Sequence, residues 1–131
     1  MTTNCLGTVD VNNSRITSPN YPQHYGNNED CYWFLWSKEQ DIHLVFEYFH
    51  TEKNYDFVRL YNEESTLIGS YHGKLSSNTA IDVSSNRINI TFTSDHIDIY
   101  PGFSLIYQLG RYHIILLTIS FNFDLTFDLK L

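Results

Sequence analysis

The sequence is poor in basic residues, proline, glycine and cysteine. It has eight lysines and arginines against fifteen aspartates and glutamates, which gives a net charge of −7 at pH 7. A chain this acidic is repelled by phosphate backbones and anionic headgroups, so nucleic acid is not an expected partner. It also lacks a run of eighteen apolar residues, and residues 1–4 lack the basic and apolar regions of a signal peptide. We therefore expect no membrane span, and other features must indicate the compartment.

Residues that often carry catalysis are present without the spacing that catalysis needs. The six histidines include no pair at the i, i+4 spacing of a helical zinc site. Ser70 lies between Gly69 and Gly73, but a nucleophile elbow needs a glycine two residues to either side of the serine. We interpret residues 69–73 as a turn with a strand end. The six glycines stand alone, so the sequence contains no glycine-rich phosphate-binding loop. We therefore expect that the protein is not an enzyme.

Aromatic residues are abundant. They make up 16% of the 131 residues, with ten tyrosines and nine phenylalanines, and 42% of the chain is hydrophobic. No stretch of ten or more residues sustains an apolar period of 3.6, whereas aromatic and β-branched side chains fit a pleated sheet. The length suits one domain with a packed core, and the composition predicts an all-β fold.

Short segments of alternating apolar residues predict strands that each have one buried face. The apolar positions are Trp33 and Leu35; Ile42, Leu44 and Phe46; Val58 and Leu60; Ile88, Ile90 and Phe92; and Phe103, Leu105 and Tyr107. Turn compositions separate these segments at spacings of roughly ten residues, among them residues 62–65, Gly69, 73–78, 84–86 and 94–96. This rhythm predicts two packed antiparallel sheets.

The last part of the chain has a different pattern. From Ile115 to Leu131 every second residue is apolar, and no glycine or proline interrupts the alternation. A single strand of that length would extend about 55 Å, longer than strands of a small domain. We therefore treat residues 110–131 as a tail: an added strand pair, a segment that docks on a neighbouring domain, or a non-native end of the chain.

Three acidic residues stand at predicted strand edges or turns: Glu52, Asp56 and Asp95. Loops at one end of a sandwich converge, and carboxylates brought together repel one another unless a cation neutralises them. Oxygen ligands of this kind suit calcium. From spacing alone, solvated turn carboxylates remain the alternative.

Two other features stay ambiguous on the residues alone. Cys5 and Cys31 are the only cysteines, and a count of two does not separate a disulfide from two free buried thiols. The tripeptides that begin at Asn12 and Asn89 permit N-glycosylation. Such tripeptides occur by chance about as often as they mark a glycosylated asparagine, so they are weak evidence.

A series of motifs in a fixed order is more specific. It contains Cys5, Ser18-Pro19-Asn20-Tyr21-Pro22, Tyr25, Cys31-Tyr32-Trp33, Tyr55-Asp56-Phe57-Val58, Gly69-Ser70-Tyr71-His72-Gly73, Phe92-Thr93-Ser94-Asp95 and Gly102-Phe103. From residue 5 to about residue 108 this order closely resembles a CUB domain. The resemblance implies an extracellular β-sandwich of jelly-roll type that is not catalytic and that binds proteins or glycans beside proteases, lectins or receptors.

The resemblance also implies that Cys5 and Cys31 form the first disulfide of the family. The second family bridge is absent, because Lys53 and His72 stand at its two positions. This departure removes one covalent link. We expect the loop that the second bridge would close, between Lys53 and His72, to be freer.

Similar residues in calcium-binding CUB domains correspond here to Glu52, Asp56 and Asp95, with Tyr25 packing beside them. Asp98, or a carbonyl near His96, is the candidate that completes the calcium ligands. The segment from Glu52 to Asp56 is shorter than in members with the second bridge, which makes Glu52 the least secure ligand.

We thus expect residues 1–109 to form a secreted or extracellular CUB domain that recognises a protein partner through a calcium-stabilised acidic loop site. Tyr25, Glu52, Asp56 and Asp95 would form the rim that accepts a lysine or arginine of the partner. One alternative is a glycan-binding, lectin-like module, which an exposed aromatic platform with a polar rim would favour. Another is a structural spacer in a larger modular protease or lectin, which a failure to bind calcium would favour.

Overall fold

A computed structural model describes residues 2–3, 5, 7–38 and 41–109, which form ten β-strands and no helix. The strands are β1 (Thr2–Thr3), β2 (Val9–Asp10), β3 (Arg15–Thr17), β4 (Asp30–Trp36), β5 (Ile42–His50), β6 (Phe57–Tyr61), β7 (Leu67–Tyr71), β8 (Thr79–Asp82), β9 (Arg87–Thr93) and β10 (Gly102–Leu109). One five-stranded sheet has the order β1-β4-β9-β6-β7 and the other has the order β2-β3-β10-β5-β8. All the pairings are antiparallel.

The inner faces of the two sheets follow the predicted alternation. In β9 the side chains of Ile88, Ile90 and Phe92 are buried, while the residues between them are partly exposed. The predicted apolar positions of β4, β5, β6 and β10 are buried in the same way. The expected fold class, an all-β antiparallel sandwich of two sheets, is therefore confirmed.

The strands at the four sheet edges, β1, β7, β2 and β8, were not predicted from the sequence, and neither was β3. Gly69, which was expected in a turn, lies inside β7 and pairs with Leu60 of β6, so that prediction is wrong. An edge strand has a partner on one side only, and β7 exposes both Leu67 and Ile68. Its side chains therefore do not alternate between core and solvent, and the strand leaves no clear pattern in the sequence.

Aromatic rings fill the centre of the sandwich. The ring of Phe103 lies edge-on to Trp33, Phe46 and Phe92, with centroid distances of 6.0, 6.1 and 5.4 Å. Since these residues come from β10, β4, β5 and β9, the contacts join both sheets. Such edge-to-face pairs add to the stabilisation from apolar burial.

The proline-containing corner at residues 18–22 is attached to the start of β10. The backbone N–H of Ser18 donates to the carbonyl of Phe103 at 3.1 Å, and the Ser18 hydroxyl accepts from the N–H of Phe103 at 3.0 Å. A few residues further on, the N–H of Tyr25 donates to the carbonyl of Tyr100 at 3.1 Å. These bonds fix the segment that delivers Tyr25 to one end of the sandwich.

Cys5 and Cys31 form a disulfide with a Cα–Cα distance of 5.4 Å. The bridge joins the segment before β2 to β4, as expected, and the alternative of two free thiols does not apply. The prediction about residues 110–131 concerns a segment outside the described residues. Among the described residues, no helix is long and apolar enough to cross a membrane.

Candidate metal centre

Strand register brings two of the predicted acidic residues to one end of the sandwich. Phe57 of β6 pairs with Thr93 of β9. Asp56 comes one residue before Phe57 and Asp95 comes two residues after Thr93, so the antiparallel pairing sets them at the same sheet end. The backbone N–H of Asp95 donates to Oδ1 of Asp56 at 2.9 Å.

Glu52 reaches the same place from the other sheet. It follows β5, and the loop from Glu52 to Asp56 folds back on itself, with the N–H of Asp56 donating to the carbonyl of Glu52 at 3.1 Å. One carboxylate oxygen each of Glu52, Asp56 and Asp95 lies within 4.8 Å of the other two. We call these three residues the carboxylate cluster.

Tyr25 holds the carboxylate cluster from beneath. Its hydroxyl donates to Oδ2 of Asp56 at 2.6 Å and accepts from the backbone N–H of Glu52 at 3.1 Å. Tyr25 and Asp56 are both fully buried, whereas Glu52 and Asp95 are partly exposed. Asp56 is therefore not a solvated turn carboxylate, the alternative that spacing alone left open.

One oxygen of the carboxylate cluster has no protein partner. Oε1 of Glu52 is buried and, within the described part of the chain, accepts no hydrogen bond. A buried polar atom without a partner is costly, and most such atoms in folded proteins are satisfied by protein, water or an ion. The oxygen donors beside it are the kind that calcium prefers, so the residues present fit a hard divalent cation.

The electrostatics also favour a cation at this point. Burial raises the pKa of the Glu52 carboxyl, and the neighbouring charges of Asp95, Asp56 and Asp98 raise it further. Burial likewise raises the pKa of Asp56, although the hydrogen bonds from Tyr25 and from the Asp95 N–H oppose the increase. The carboxyl groups of Glu52 and Asp56 are thus hard to ionise together without a positive charge nearby.

Asp98 has a different position from the other candidates. It is exposed and does not belong to the carboxylate cluster, but its charge acts on both Glu52 and Asp56. The structure therefore brings Glu52, Asp56, Asp95 and Tyr25 together and leaves Asp98 at the margin. Glu52, the least secure candidate on sequence, lies within the cluster.

Two hydroxyl residues that the sequence analysis did not select brace the surrounding loops. The Thr51 hydroxyl donates to the Asp56 carbonyl at 2.9 Å and accepts from the Gly73 N–H at 3.1 Å. The Ser94 hydroxyl donates to the Gly26 carbonyl at 2.7 Å and accepts from the Glu29 N–H at 2.8 Å. Ser94 belongs to one of the family motifs, but the sequence assigns a bracing role to neither residue, because bracing and solvent-exposed hydroxyls have the same residue type.

A hydrogen bond occupies the region of the missing second bridge. The backbone N–H of Asn54 donates to Nδ1 of His72 at 3.0 Å, and the side chain of Lys53 lies beside Gly73. The loop between Glu52 and Asp56 is therefore attached to the segment after β7 without a covalent link.

Comparison with known proteins gives a consistent result. The CUB domain family matches residues 5–107. Human neuropilin-2 is 34% identical over 105 residues, a match that covers 73% of this chain and 11% of neuropilin-2. The zinc metalloproteinase nas-39 of Caenorhabditis elegans is 35% identical over 97 residues, covering 70% of this chain and 10% of the metalloproteinase. The chain thus spans only a small part of these relatives.

Among solved structures, the crystal structure of the MASP-1 CUB2 domain bound to Ca²⁺ superimposes with a TM-score of 0.65 and 29% identity. The match covers 72% of this chain and 89% of that domain. The CUB1-EGF-CUB2 domain of human MASP-1/3 gives the same TM-score at 25% identity and covers 72% of this chain and 38% of that protein.

Proposed function

This chain belongs to the CUB domain family, and from that premise we propose that it is an extracellular interaction module. Its acidic loop end binds calcium. With calcium bound, the same end accepts a basic side chain of a protein partner. CUB domains are generally non-catalytic interaction modules of modular extracellular proteins. The observation that carries the proposal is the buried, unpartnered Oε1 of Glu52 beside the carboxylates of Asp56 and Asp95.

Glu52, Asp56 and Asp95 would hold the ion, and Asp98 would add negative charge at the margin. A bound calcium ion would neutralise the carboxylate cluster and fix the positions of the loops. Support also comes from the Ca²⁺-bound MASP-1 CUB2 domain, which shares the fold at 29% identity.

The partner chemistry follows from the charge balance. Three carboxylates around a divalent ion leave one negative charge in excess, and Asp98 increases it. Glu52 and Asp95 are partly exposed, so an outward oxygen can accept a lysine or arginine. A partly exposed ion pair is weak, and several copies acting together would be needed for useful affinity.

Calorimetric titration with calcium tests the metal site. The wild-type chain should bind calcium, and Asp95→Ala should abolish binding while the domain stays folded, because Asp95 lies in a loop. Asp82→Ala is the matched control, since Asp82 is exposed and pairs with His43 at the opposite end of β5. A folded wild-type domain that takes up no calcium would contradict the metal site and favour the structural spacer.

A bead-bound, lysine-containing peptide tests the partner site. General attraction to an acidic chain weakens when calcium neutralises part of its charge, whereas a basic-residue site that calcium orders becomes stronger. We expect a multivalent form of the domain, with several copies linked together, to bind the beads when calcium is present. A chelator should release it from the beads, and high salt should weaken its binding. Binding that is unchanged by a chelator and by Asp95→Ala would show that the partner binds to another face of the domain.

A further inference from the structure

β4 carries aromatic side chains on both of its faces. Trp33 points into the core, while Tyr32, Phe34 and Trp36 point outward, and Tyr32 and Trp36 keep 46% and 49% of their surface exposed. The solvent side of an antiparallel sheet is ordinarily polar, and a strand that is apolar on both sides is typical of a sheet covered on both sides. This surface of the domain therefore has the composition of one that is covered.

The register places an asparagine at the centre of these rings. Asn89 of β9 lies directly between Phe34 of β4 and Tyr61 of β6, and Thr91 lies beside Tyr32. Residues opposite one another in such a pair have Cβ atoms about 4.5–5.5 Å apart. We call the outward side chains of Tyr32, Phe34, Trp36, Tyr61 and Asn89 the outer aromatic face.

The outer aromatic face contains a shallow depression of about 570 Å³. It is lined by Asp30, Tyr32, Tyr61, Ser65, Asn89 and Thr91. The lining combines ring faces with hydroxyl, amide and carboxylate groups. A sugar ring has a corresponding pair of surfaces, an apolar C–H face and a rim of hydroxyls, so the lining suits a carbohydrate.

Asn89 and Thr91 are also the ends of one of the two glycosylation tripeptides. The strand alternation turns both residues outward and buries Ile90 between them. Among the described residues, the Asn89 side chain has no hydrogen-bond partner. By contrast, Asn12 lies in the turn after β2, where its backbone N–H donates to Asp10 and no aromatic side chain belongs to the turn.

We propose that Asn89 carries an N-linked glycan whose first sugars pack on the outer aromatic face and close that face to protein partners. The occupant is thus covalently attached to the chain, at the point where the exposed rings need cover. Glycosylation of Asn89 requires that the domain pass through the secretory route and does not require calcium binding. It gives the two glycosylation tripeptides different roles, which the sequence alone could not separate.

The attachment is a group transfer from a lipid-linked oligosaccharide pyrophosphate, made by the host's glycosyltransferase. The amide nitrogen of Asn89 forms a bond to the anomeric carbon of the first sugar, and the bond from that carbon to the pyrophosphate oxygen breaks. The lipid pyrophosphate leaves with the bonding electron pair, and the nitrogen gives up one proton to a base. No oxidant or reductant is needed.

Occupancy is tested by secreting the full chain from mammalian cells and mapping glycopeptides by mass spectrometry. Asn89→Gln and Thr91→Val should each abolish the glycan at position 89, and valine keeps the β-branched shape that suits a strand. Thr91→Ser should retain the glycan, because it keeps the hydroxyl. Asn12→Gln should leave position 89 unchanged. A folded wild-type protein with no glycan at Asn89 overturns the proposal.

Acrylamide quenching of tryptophan fluorescence tests separately whether the glycan covers the outer aromatic face. The chain has two tryptophans, and Trp33 is fully buried, so the quenched signal belongs to Trp36. Trp36 pairs with Arg87 and is therefore a diagonal neighbour of Asn89. We expect stronger quenching in Thr91→Val than in the glycosylated Thr91→Ser, and stronger quenching of the wild type after enzymatic removal of its glycan. Equal quenching with and without the glycan overturns the claim of cover and leaves the face open to a partner.

Discussion

The Tyr25 hydroxyl donates to Oδ2 of Asp56 at 2.6 Å across a separation of 31 residues, and neither side chain is exposed to solvent. The same hydroxyl accepts from the backbone N–H of Glu52, so one oxygen connects the corner segment, the loop after β5 and the start of β6. The carboxylate cluster is therefore built into the core at its base and open to solvent at its rim.

Tyr25→Phe should destabilise the domain and weaken calcium binding together. The variant keeps the ring that packs edge-on against Phe92, but Oδ2 of Asp56 and the Glu52 N–H each lose their hydrogen bond to the hydroxyl, while Oδ1 of Asp56 keeps its bond from the Asp95 N–H. A lost buried hydrogen bond of this kind costs about 1–3 kcal/mol. Urea unfolding and calcium calorimetry measure the two effects. Tyr61→Phe, at a partly exposed tyrosine of β6, should change neither, and an unchanged Tyr25→Phe would contradict the role given to the hydroxyl.

Without calcium, the contribution of Asp56 and Glu52 to the stability of the domain should fall as the pH rises above the ordinary carboxyl pKa values of 3.8 for aspartate and 4.5 for glutamate. The pKa values of Asp56 and Glu52 are raised in the folded state, mainly by burial. For each carboxyl group, the folded chain therefore holds more protons than the unfolded chain at pH values between the unfolded-state pKa and the folded-state pKa. The stabilisation is complete below the unfolded pKa and is lost as the pH rises through the folded pKa.

Saturating calcium should reverse this trend over the same pH interval, because the metal binds ionised carboxylates. Denaturant unfolding at a series of pH values, with chelator and with calcium, gives both curves. Glu52→Gln removes one of the titrating groups and should flatten the chelator curve. Parallel curves with and without calcium would contradict a metal site made of these carboxylates.

The Cys5–Cys31 disulfide should contribute about 3–4 kcal/mol to the free energy of unfolding, from the loop that it closes in the unfolded chain. Comparing denaturant midpoints before and after reduction measures this contribution. Intact mass after alkylation without reduction should show no free thiol. Two alkylated cysteines in protein made under oxidising conditions would contradict the bridge.

Gly102→Ala should destabilise the domain much more than Gly7→Ala. Both glycines have positive φ, +89° and +78°, so each alanine pays a similar backbone cost of about 1–2 kcal/mol. A Cβ at Gly102 would also collide with the Ser18 hydroxyl, whereas at Gly7 nothing lies within 4 Å. Thermal unfolding of both variants separates the collision from the backbone cost. Equal losses would show that the corner moves away from β10 without difficulty.

Deleting residues 111–131 should leave a folded and more soluble domain. The family match ends at residue 107 and β10 ends at Leu109, while alternating large apolar residues in the deleted segment favour self-association. Circular dichroism and sedimentation of the two lengths test this boundary. An unfolded short form would mean that the tail belongs to the core.

The sequence by itself determined the fold class, because Trp33, Ile90 and Leu105 alternate with polar or half-buried neighbours and a period of two survives in any strand with one buried face. The ordered motifs identified the family, and through it the carboxylate candidates. The edge strands β1, β2, β7 and β8 were not predicted. Three of them are only two to four residues long, and β7 exposes the adjacent Leu67 and Ile68, so none contains a run of alternating apolar residues.

Only the tertiary structure decided which acidic residues act together. The register between Phe57 and Thr93 sets Asp56 next to Asp95, and the return of the loop after β5 adds Glu52 but leaves Asp98 outside the cluster. Burial separates Asp56 from solvated turn carboxylates, and the aromatic neighbours of Asn89 separate it from Asn12. These distinctions depend on contacts between residues far apart in the chain, and neither residue type nor local spacing contains that information.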